Sequence, residues 1–381
     1  MAATKSNKIK IMHCGDIHLG GIYAGVSPED SARLRERLLS GFISAVEAEI
    51  SAGANAVLIS GDLFDFPSPD VSVVNAIVNL FSSHPSVQFV IAPGECDCDC
   101  PLYFSKILPE NASVFTKGAM KRITLKEQKL AIWGWSMTKN ARNTCPLAGK
   151  TADNTPLLKI VLGHCDVTEA MSSYFSVLES DISAFGADLC LFSHQHSYGK
   201  VKRAGDTPYV YSGFFDGRNQ EETGYGGYNV ITATDGGEAG WQLSFSRKQF
   251  TSHRYVSLTV NVDKTRSVEE ALERCDKLIS DKKVDKACTL YLTFTGNVRP
   301  EVIIPNALPK ISEKTFSLNI VNETLPLFEC DYLMADKTVP GEIFRKLRQD
   351  MESDSKSKRM MAASVFRTIM IALEGKDINN A

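Results

Sequence analysis

The 381-residue chain lacks any apolar run long enough to span a bilayer, which takes about 20 consecutive apolar residues as a helix. It also lacks a strong charge of either sign: 42 Lys and Arg against 45 Asp and Glu leave a net charge of −3. That excludes a broadly basic nucleic-acid-coating protein. A local phosphate site needs only a few cations in one place and stays open. No internal repeat and no low-complexity tract occurs, which argues against solenoid arrays and long disordered segments. Ten cysteines in a chain this long are too sparse for a disulfide framework. The opening MAATKSNKIKIMHCGD carries basic residues without an apolar core or a small-residue cleavage site, so no export signal is expected. Reduced thiols and a cytoplasmic location follow as expectations. Histidine is scarce too, at seven residues, so the places where it falls are informative.

What is present is an alternation of strand and helix signals. KIKIMHC reads as a strand. Ser27, Pro28, Glu29 and Asp30 then start a helix with a capping hydroxyl, a first-turn proline and acids at the positive end of the dipole. LRERLLSGFISAVEAEI continues it with helical spacing. NAVLIS is a strand, VSVVNAIVNLF a helix and VQFVIA a strand, an order that implies βαβ units and parallel pairing. From about residue 112 the pattern turns to β, with KRITLKEQKLAIWGW as a hairpin. LKIVLG, DLCLFS, TPYVYSG, GYNVITA and WQLSFSRKQ follow as further strands. Helices early and strands late predict an α+β fold of two packed sheets with helices outside. The character shifts again between residues 247 and 256. YVSLTVNV, CTLYLTFTG and FSLNIVN read as strands around a helix whose capping box pairs Ser267 with Glu270. Two helices follow, the last closed by Gly375. Domains of 7–250 and 251–381 are expected, the second a small α+β cap domain with a helical tail.

Each of five strands of the first domain ends in a carboxylate or an imidazole. Asp16 and His18 follow the first. Asp62, with Asp65 close behind, follows NAVLIS. Glu95, Cys96 and Asp97 follow VQFVIA, His164 ends LKIVLG, and His194 and His196 follow DLCLFS. In open α/β sheets the carboxyl edge is where ligands bind. Mixed imidazole and carboxylate donors suit borderline ions such as manganese, iron or zinc. Two such ions ~3.5–4 Å apart, sharing one carboxylate, can neutralise a phosphoryl group during in-line displacement. Any one of these residues alone is more often a turn former or a hydrogen-bonded structural group. The ordered set points to a dinuclear phosphoesterase. Within IAPGECDCDC the cysteines lack the C-x-x-C spacing that brings two thiolates to one tetrahedral ion. The loop therefore reads as one wall of the dinuclear site.

The order D-x-H, G-D, a ligand loop, a lone His and H-x-H resembles the calcineurin-like metallophosphoesterases. HCGDIHLGG and SGDLFDFPSP are similar to their SbcD-like DNA-repair branch. GFFDGRNQEETGYGGYNVI is similar to the G-R…E-T-G segment of YhaO-type members. The resemblance covers residues 8 to about 235. It implies a four-layer sandwich, two mixed β-sheets flanked by helices. Carried over by position, it implies Asp16, His18 and His196 on one metal and Glu95, His164 and His194 on another, with Asp62 bridging. It implies two divalent metal ions, manganese foremost with iron or zinc as alternatives. The partners it implies are DNA, an SbcC-like coiled-coil ATPase and a second copy in a homodimer, with no membrane. Arg218 and the GKVKR turn at 199–203 would contact phosphate. His13 is expected to be structural, and Ser193 departs from the family's glycine. GECD stands where the family has G-N-H-D. Glu95 would bring a charge in place of a neutral amide. Cys96 takes the position of the histidine that contacts phosphate and protonates the leaving oxygen. Losing such a group costs ~10²–10⁴-fold in rate, so low nuclease activity is expected. A phosphoesterase acting on a small phosphoester and a non-catalytic DNA- or metal-binding subunit are the alternatives.

Overall fold

The structure, a computed structural model, describes residues 8–138, 145–168, 176–298, 302, 304–326 and 330–373. Gly375 lies outside the described residues. The chain divides into two compact units, Met1–Arg254 and Tyr255–Ala381.

In the first unit, β1 (Lys8–Cys14), β2 (Ala56–Ile59), β3 (Gln88–Ile91) and β4 (Ala112–Val114) lie parallel, side by side. α1 (Pro28–Ser51) and α2 (Val71–Ser82) make the first two crossovers. Ser27 caps α1 as the sequence predicts, its Oγ accepting the Asp30 N–H at 3.1 Å. β5 (Lys121–Leu125) and β6 (Leu130–Gly134) form the expected hairpin. β7 (Leu158–His164) then leads into a short parallel pair, β8 (Asp166–Thr168) with β9 (Ser176–Leu178), and helix α3 (Glu179–Phe185). The remaining strands are β10 (Leu189–Ser193), β11 (Lys202–Ala204), β12 (Thr207–Tyr211), β13 (Gly226–Asp235) and β14 (Trp241–Phe250). Two six-stranded mixed sheets result, ordered β14-β13-β1-β2-β3-β4 and β11-β12-β10-β7-β6-β5.

The apolar strands bury both faces, and alternate residues enter different layers. Ile11, Leu58 and Val90 of the first sheet meet Ile132, Ile160, Leu162, Leu189 and Leu191 of the second in the central core. The intervening residues Met12, Val57 and Phe89 pack outward on Leu38, Phe42, Ile77 and Phe81 of α1 and α2. On the far side Trp133, Val161 and Cys190 pack with Ile182 and Phe185 of α3. Burial of each such large side chain contributes about 1.5–3 kcal/mol, and burial on both faces explains the near-continuous apolar runs. The fold is therefore the α+β calcineurin-like sandwich with helices on both outer faces. This layering aligns the carboxyl ends of β1, β2 and β3 with those of β7 and β10.

In the second unit, β15 (Arg254–Asn261), β16 (Cys288–Val298) and β17 (Ser317–Pro326) form one sheet in that order. α4 (Val268–Asp281) places Ala271, Cys275 and Ile279 in a core with Val260, Leu290 and Phe294. Only half of the capping box forms. Ser267 Oγ accepts the Glu270 N–H at 3.3 Å, but the Glu270 carboxylate takes the Arg266 N–H at 2.9 Å. The helices Val339–Met351 and Lys356–Leu373 pack through Phe344 and Phe366, whose ring centroids are 5.6 Å apart. No helix among the described residues is long and apolar enough to cross a membrane.

Candidate metal centre

The turns after β1 and β2 are laced together along their backbones. The Asp16 N–H donates to the Gly61 carbonyl at 3.1 Å, and the N–H groups of Ile17 and His18 donate to Asp62 O at 3.0 and 2.9 Å. The geometry requires left-handed backbone at Asp16 (φ 49°), His18 (φ 52°) and Asp62 (φ 47°), and His194 has φ 95°. Such conformations cost a non-glycine residue on the order of 1–3 kcal/mol and persist where the surroundings enforce them. All four residues belong to the ligand set read from the sequence. Glycine is needed at two neighbouring points. A Cβ on Gly61 (φ 124°) would fall 2.2 Å from His164 Nδ1, and one on Gly94 would fall 2.1 Å from Asp62 Oδ1.

Asp62 Oδ2 lies 3.8 Å from His18 Nε2 and 3.6 Å from His164 Nε2. Both nitrogens are buried without a hydrogen-bond partner. Asp16 Oδ1 lies 3.8 Å from His164 Nδ1 and 3.9 Å from His196 Nε2. Donor atoms within 4.8 Å of one another group as Asp16–His18–His196, Asp16–Asp62–His164 and His18–Asp65–Cys96. Asp16 and Asp62 are 0% and 2% exposed, and among the described residues their ion-pair partners are histidines alone. Buried carboxylates in this state need added cations. Unpartnered imidazole nitrogens aimed at the same carboxylate are what divalent ions coordinate. The donor set fits divalent metal ions.

A surrounding layer fixes the imidazoles. Ser193 Oγ donates to the Ser60 carbonyl, so the 2.9 Å contact from His164 Nδ1 to the same Oγ has Nδ1–H donating. His164 Nε2 then keeps its lone pair for the centre, and the departure from the family's glycine at Ser193 has a definite role. His196 Nδ1 donates to buried Glu222 at 2.6 Å. Asp65 Oδ1 stands 2.9 Å from His18 Nδ1, off the line of a well-formed hydrogen bond. Carboxylates placed behind metal-ligating imidazoles orient the ring and raise its basicity.

Arg218 ties this layer together. The residue is 8% exposed, and its guanidinium pairs with Asp65 at 2.7 Å and Glu222 at 3.2 Å, while its Nε is buried without a hydrogen-bond partner. Burial pushes the Glu222 carboxyl up, but the His196 hydrogen bond and the Arg218 charge outweigh it and hold the group below its ordinary value. Asp65 is likewise held low, with burial opposed by the His18 and Arg218 contacts. The signal that could have singled out Glu222 is its place with Arg218 in the G-R…E-T-G segment.

In the GECD loop the Cys96 N–H donates to Asp62 Oδ1 at 2.9 Å. Burial, then the Asp62 charge, pushes the thiol well above its ordinary range. Asp97 secures the loop from inside. Its carboxylate accepts the Gly94 N–H at 2.9 Å, the Leu63 N–H at 2.9 Å and the Tyr103 hydroxyl at 2.7 Å. Glu95 does not join the three donor groups. Its side chain is exposed, and it acts on His194 through charge alone. His194 also stands outside them, with Nε2 3.6 Å from Asp166 Oδ2 and its N–H on the Asp16 carboxylate at 3.1 Å. His13 is structural, with Nε2 2.8 Å from Ser60 Oγ and Nδ1 accepting from Asn229 Nδ2 at 3.2 Å.

Residues 9–198 match the calcineurin-like phosphoesterase family. The uncharacterized metallophosphoesterase YhaO of Bacillus subtilis is 23% identical over 247 residues, 60% of this chain and 58% of that protein. The DNA double-strand break repair protein Mre11 of Aeropyrum pernix is 24% identical over 241 residues, 56% of this chain and 55% of that protein. The chain thus spans a little over half the length of these curated relatives. Among solved structures, Vacuolar Protein Sorting 29 from Cryptosporidium parvum is similar at 13% identity and a TM-score of 0.31, covering 64% of this chain and 99% of that one.

Proposed function

Because the chain belongs to the calcineurin-like metallophosphoesterases, we propose that it is a metal-dependent phosphodiesterase acting on DNA, of the SbcD-like repair type. The observation that carries this reading is Asp62 Oδ2 standing between two orphaned imidazole nitrogens at 3.8 and 3.6 Å. Asp16, His18 and His196 would hold one divalent ion, His164 the other, and Asp62 both, with Glu95 and His194 bordering the second. The bound ions supply charge neutralisation at the phosphoryl oxygens. Ser193 and Glu222 orient the imidazoles of His164 and His196 so that their other nitrogens face the centre. The Cys96 thiol stands at the position from which the family donates a proton to the leaving oxygen. A thiol is a weak donor, which supports a slow enzyme.

A polynucleotide substrate is favoured by the rim. Ile22, Phe66, Phe104 and Tyr198 are exposed on the segments that follow site strands, and Tyr225 is exposed on the segment between β12 and β13. Two of these rings are backed by cations, Tyr198 by Arg247 at 4.0 Å and Tyr225 by Arg254 at 4.9 Å. Exposed rings beside guanidinium groups suit unstacked bases and their phosphates. A small phosphoester makes no use of them. The SbcC-like ATPase and the homodimer rest on the family likeness.

The test sets linear DNA against aryl phosphate esters, each with manganese, zinc or ferrous iron, using Asp62→Asn as the inactive control. Slow metal-dependent DNA cleavage that Asp62→Asn abolishes is expected, and Cys96→His should raise its manganese-supported turnover. Cleavage of the aryl esters alone would replace DNA by a small substrate. Bound metal with neither substrate cleaved would make the chain a non-catalytic subunit.

A further inference from the structure

We propose that Cys96 supplies a sulfur ligand to the ion on the His18 side of the centre, so that this chain selects a thiophilic divalent ion, zinc or ferrous iron, over manganese. This rests on the metal-centre reading above and adds a ligand that the family pattern does not contain.

The ligand atoms of Cys96, His18 and Asp65 all lie within 4.8 Å of one another, and His18 also belongs to the Asp16–His18–His196 group. His18 is 3% exposed, and neither of its ring nitrogens has a hydrogen-bond partner. The thiol and an unpartnered imidazole nitrogen are therefore neighbours at one wall of the centre. With Zn–S about 2.3 Å and Zn–N about 2.0–2.1 Å, donors this close reach one ion through side-chain adjustment alone. The backbone is already set, since the Cys96 N–H is fixed on Asp62 Oδ1 at 2.9 Å and Asp97 holds the loop beneath it.

The chemistry balances without a further reactant. The S–H bond breaks, a sulfur–metal bond forms, and the displaced proton leaves to solvent, as for any coordinating thiol. No electron moves. A soft thiolate among imidazole and carboxylate donors favours zinc or iron, whereas manganese stands lowest in affinity among the first-row divalent ions and prefers oxygen. The neighbouring thiols do not compete, because Cys98 packs with Trp133 and Val161 in the outer core and Cys100 packs in the core beneath α1 and α2. Cys98 is therefore the control position.

The experiment uses the full chain, reduced and stripped with chelator, then loaded with cadmium or cobalt as spectroscopic probes. Ion content and the sulfur-to-metal charge-transfer band are read for wild type, Cys96→Ser, Cys96→Ala and Cys98→Ser. The band should appear in wild type and Cys98→Ser and be absent from both Cys96 variants. In zinc–manganese competition, the Cys96 variants should lose at least about tenfold of the zinc preference, the loss that removing even a supporting group of a metal ligand brings. Ions bound without a sulfur band, or a band that survives in the Cys96 variants, would overturn sulfur ligation and leave the dinuclear reading standing. A folded wild type that binds no ion would overturn both.

Discussion

At Arg218 one guanidinium meets Asp65 and Glu222, and each carboxylate in turn meets a histidine of the centre. Removing that cation leaves the buried Glu222 and the partly buried Asp65 without their shared counter-charge. Arg218→Met should destabilise the fold by about 3–5 kcal/mol, the usual result of breaking a buried pair from one side. It should also weaken the ion held by His18 and His196 by about 10–100-fold while sparing the His164 side. Denaturant unfolding and an ion titration read the two effects separately, and unchanged affinity at both positions would leave Arg218 a purely structural residue. Ser193→Gly restores the family residue but removes the nearer acceptor of His164 Nδ1–H, leaving the Ser60 carbonyl at 3.2 Å. The same titration should then show the opposite selectivity, with the His164 side weakened by about tenfold or more.

At the scale of elements, the centre depends on turns that hold strand ends in uncommon backbone conformations. Gly61→Ala adds a Cβ at φ 124° and 2.2 Å from His164 Nδ1, so both backbone and imidazole must move. Loss of ion binding at near-native helix content is expected from circular dichroism and metal analysis. A second fastening joins the turn after β12 to the segment ahead of β15. Asp216 accepts the N–H groups of Ser252 and His253 at 3.1 and 3.3 Å, together with the Ser252 hydroxyl and the Tyr23 hydroxyl at 3.2 Å. Burial pushes its carboxyl up to about 6 from 3.8, although those hydrogen bonds pull it down. The folded state therefore binds this proton more tightly than the unfolded chain does. Stability from the group is full below about pH 4 and lost as pH rises through about 6. Two pK units correspond to on the order of 3 kcal/mol. Urea unfolding should show wild type losing up to that much relative to Asp216→Asn between pH 4 and 7. A pH-independent difference would contradict the assignment.

These elements also show what could be read beforehand. Strands buried on both faces write themselves as apolar runs, and the ligands ending β1, β2, β7 and β10 stand one or two residues beyond those runs. The pairing of Asp65 with Arg218 spans 153 positions and leaves no local pattern. Glu95 follows its strand as the ligands do, but loop backbone sends its side chain to solvent, and no periodicity reports that. The second half of the Ser267–Glu270 box failed because Arg266 offered its own N–H to the carboxylate.

In the whole molecule, metal ions and fold are expected to support each other. Asp16 and Asp62 are buried charges with imidazoles as their ion-pair partners among the described residues, so ions bind the folded chain in preference to the unfolded one. At about 100 times the dissociation constant one such ion adds about 2.7 kcal/mol, and chelation should lower the melting temperature reversibly. The most direct measurement is the number of divalent ions held per folded chain at saturation, in wild type and in Asp62→Asn. Two are expected in wild type, with the loss of both, or all but weak binding of one, in the variant, because one carboxylate would serve both ions. A folded wild type that saturates at one ion or none, or an Asp62→Asn chain that keeps two at undiminished affinity, would contradict this.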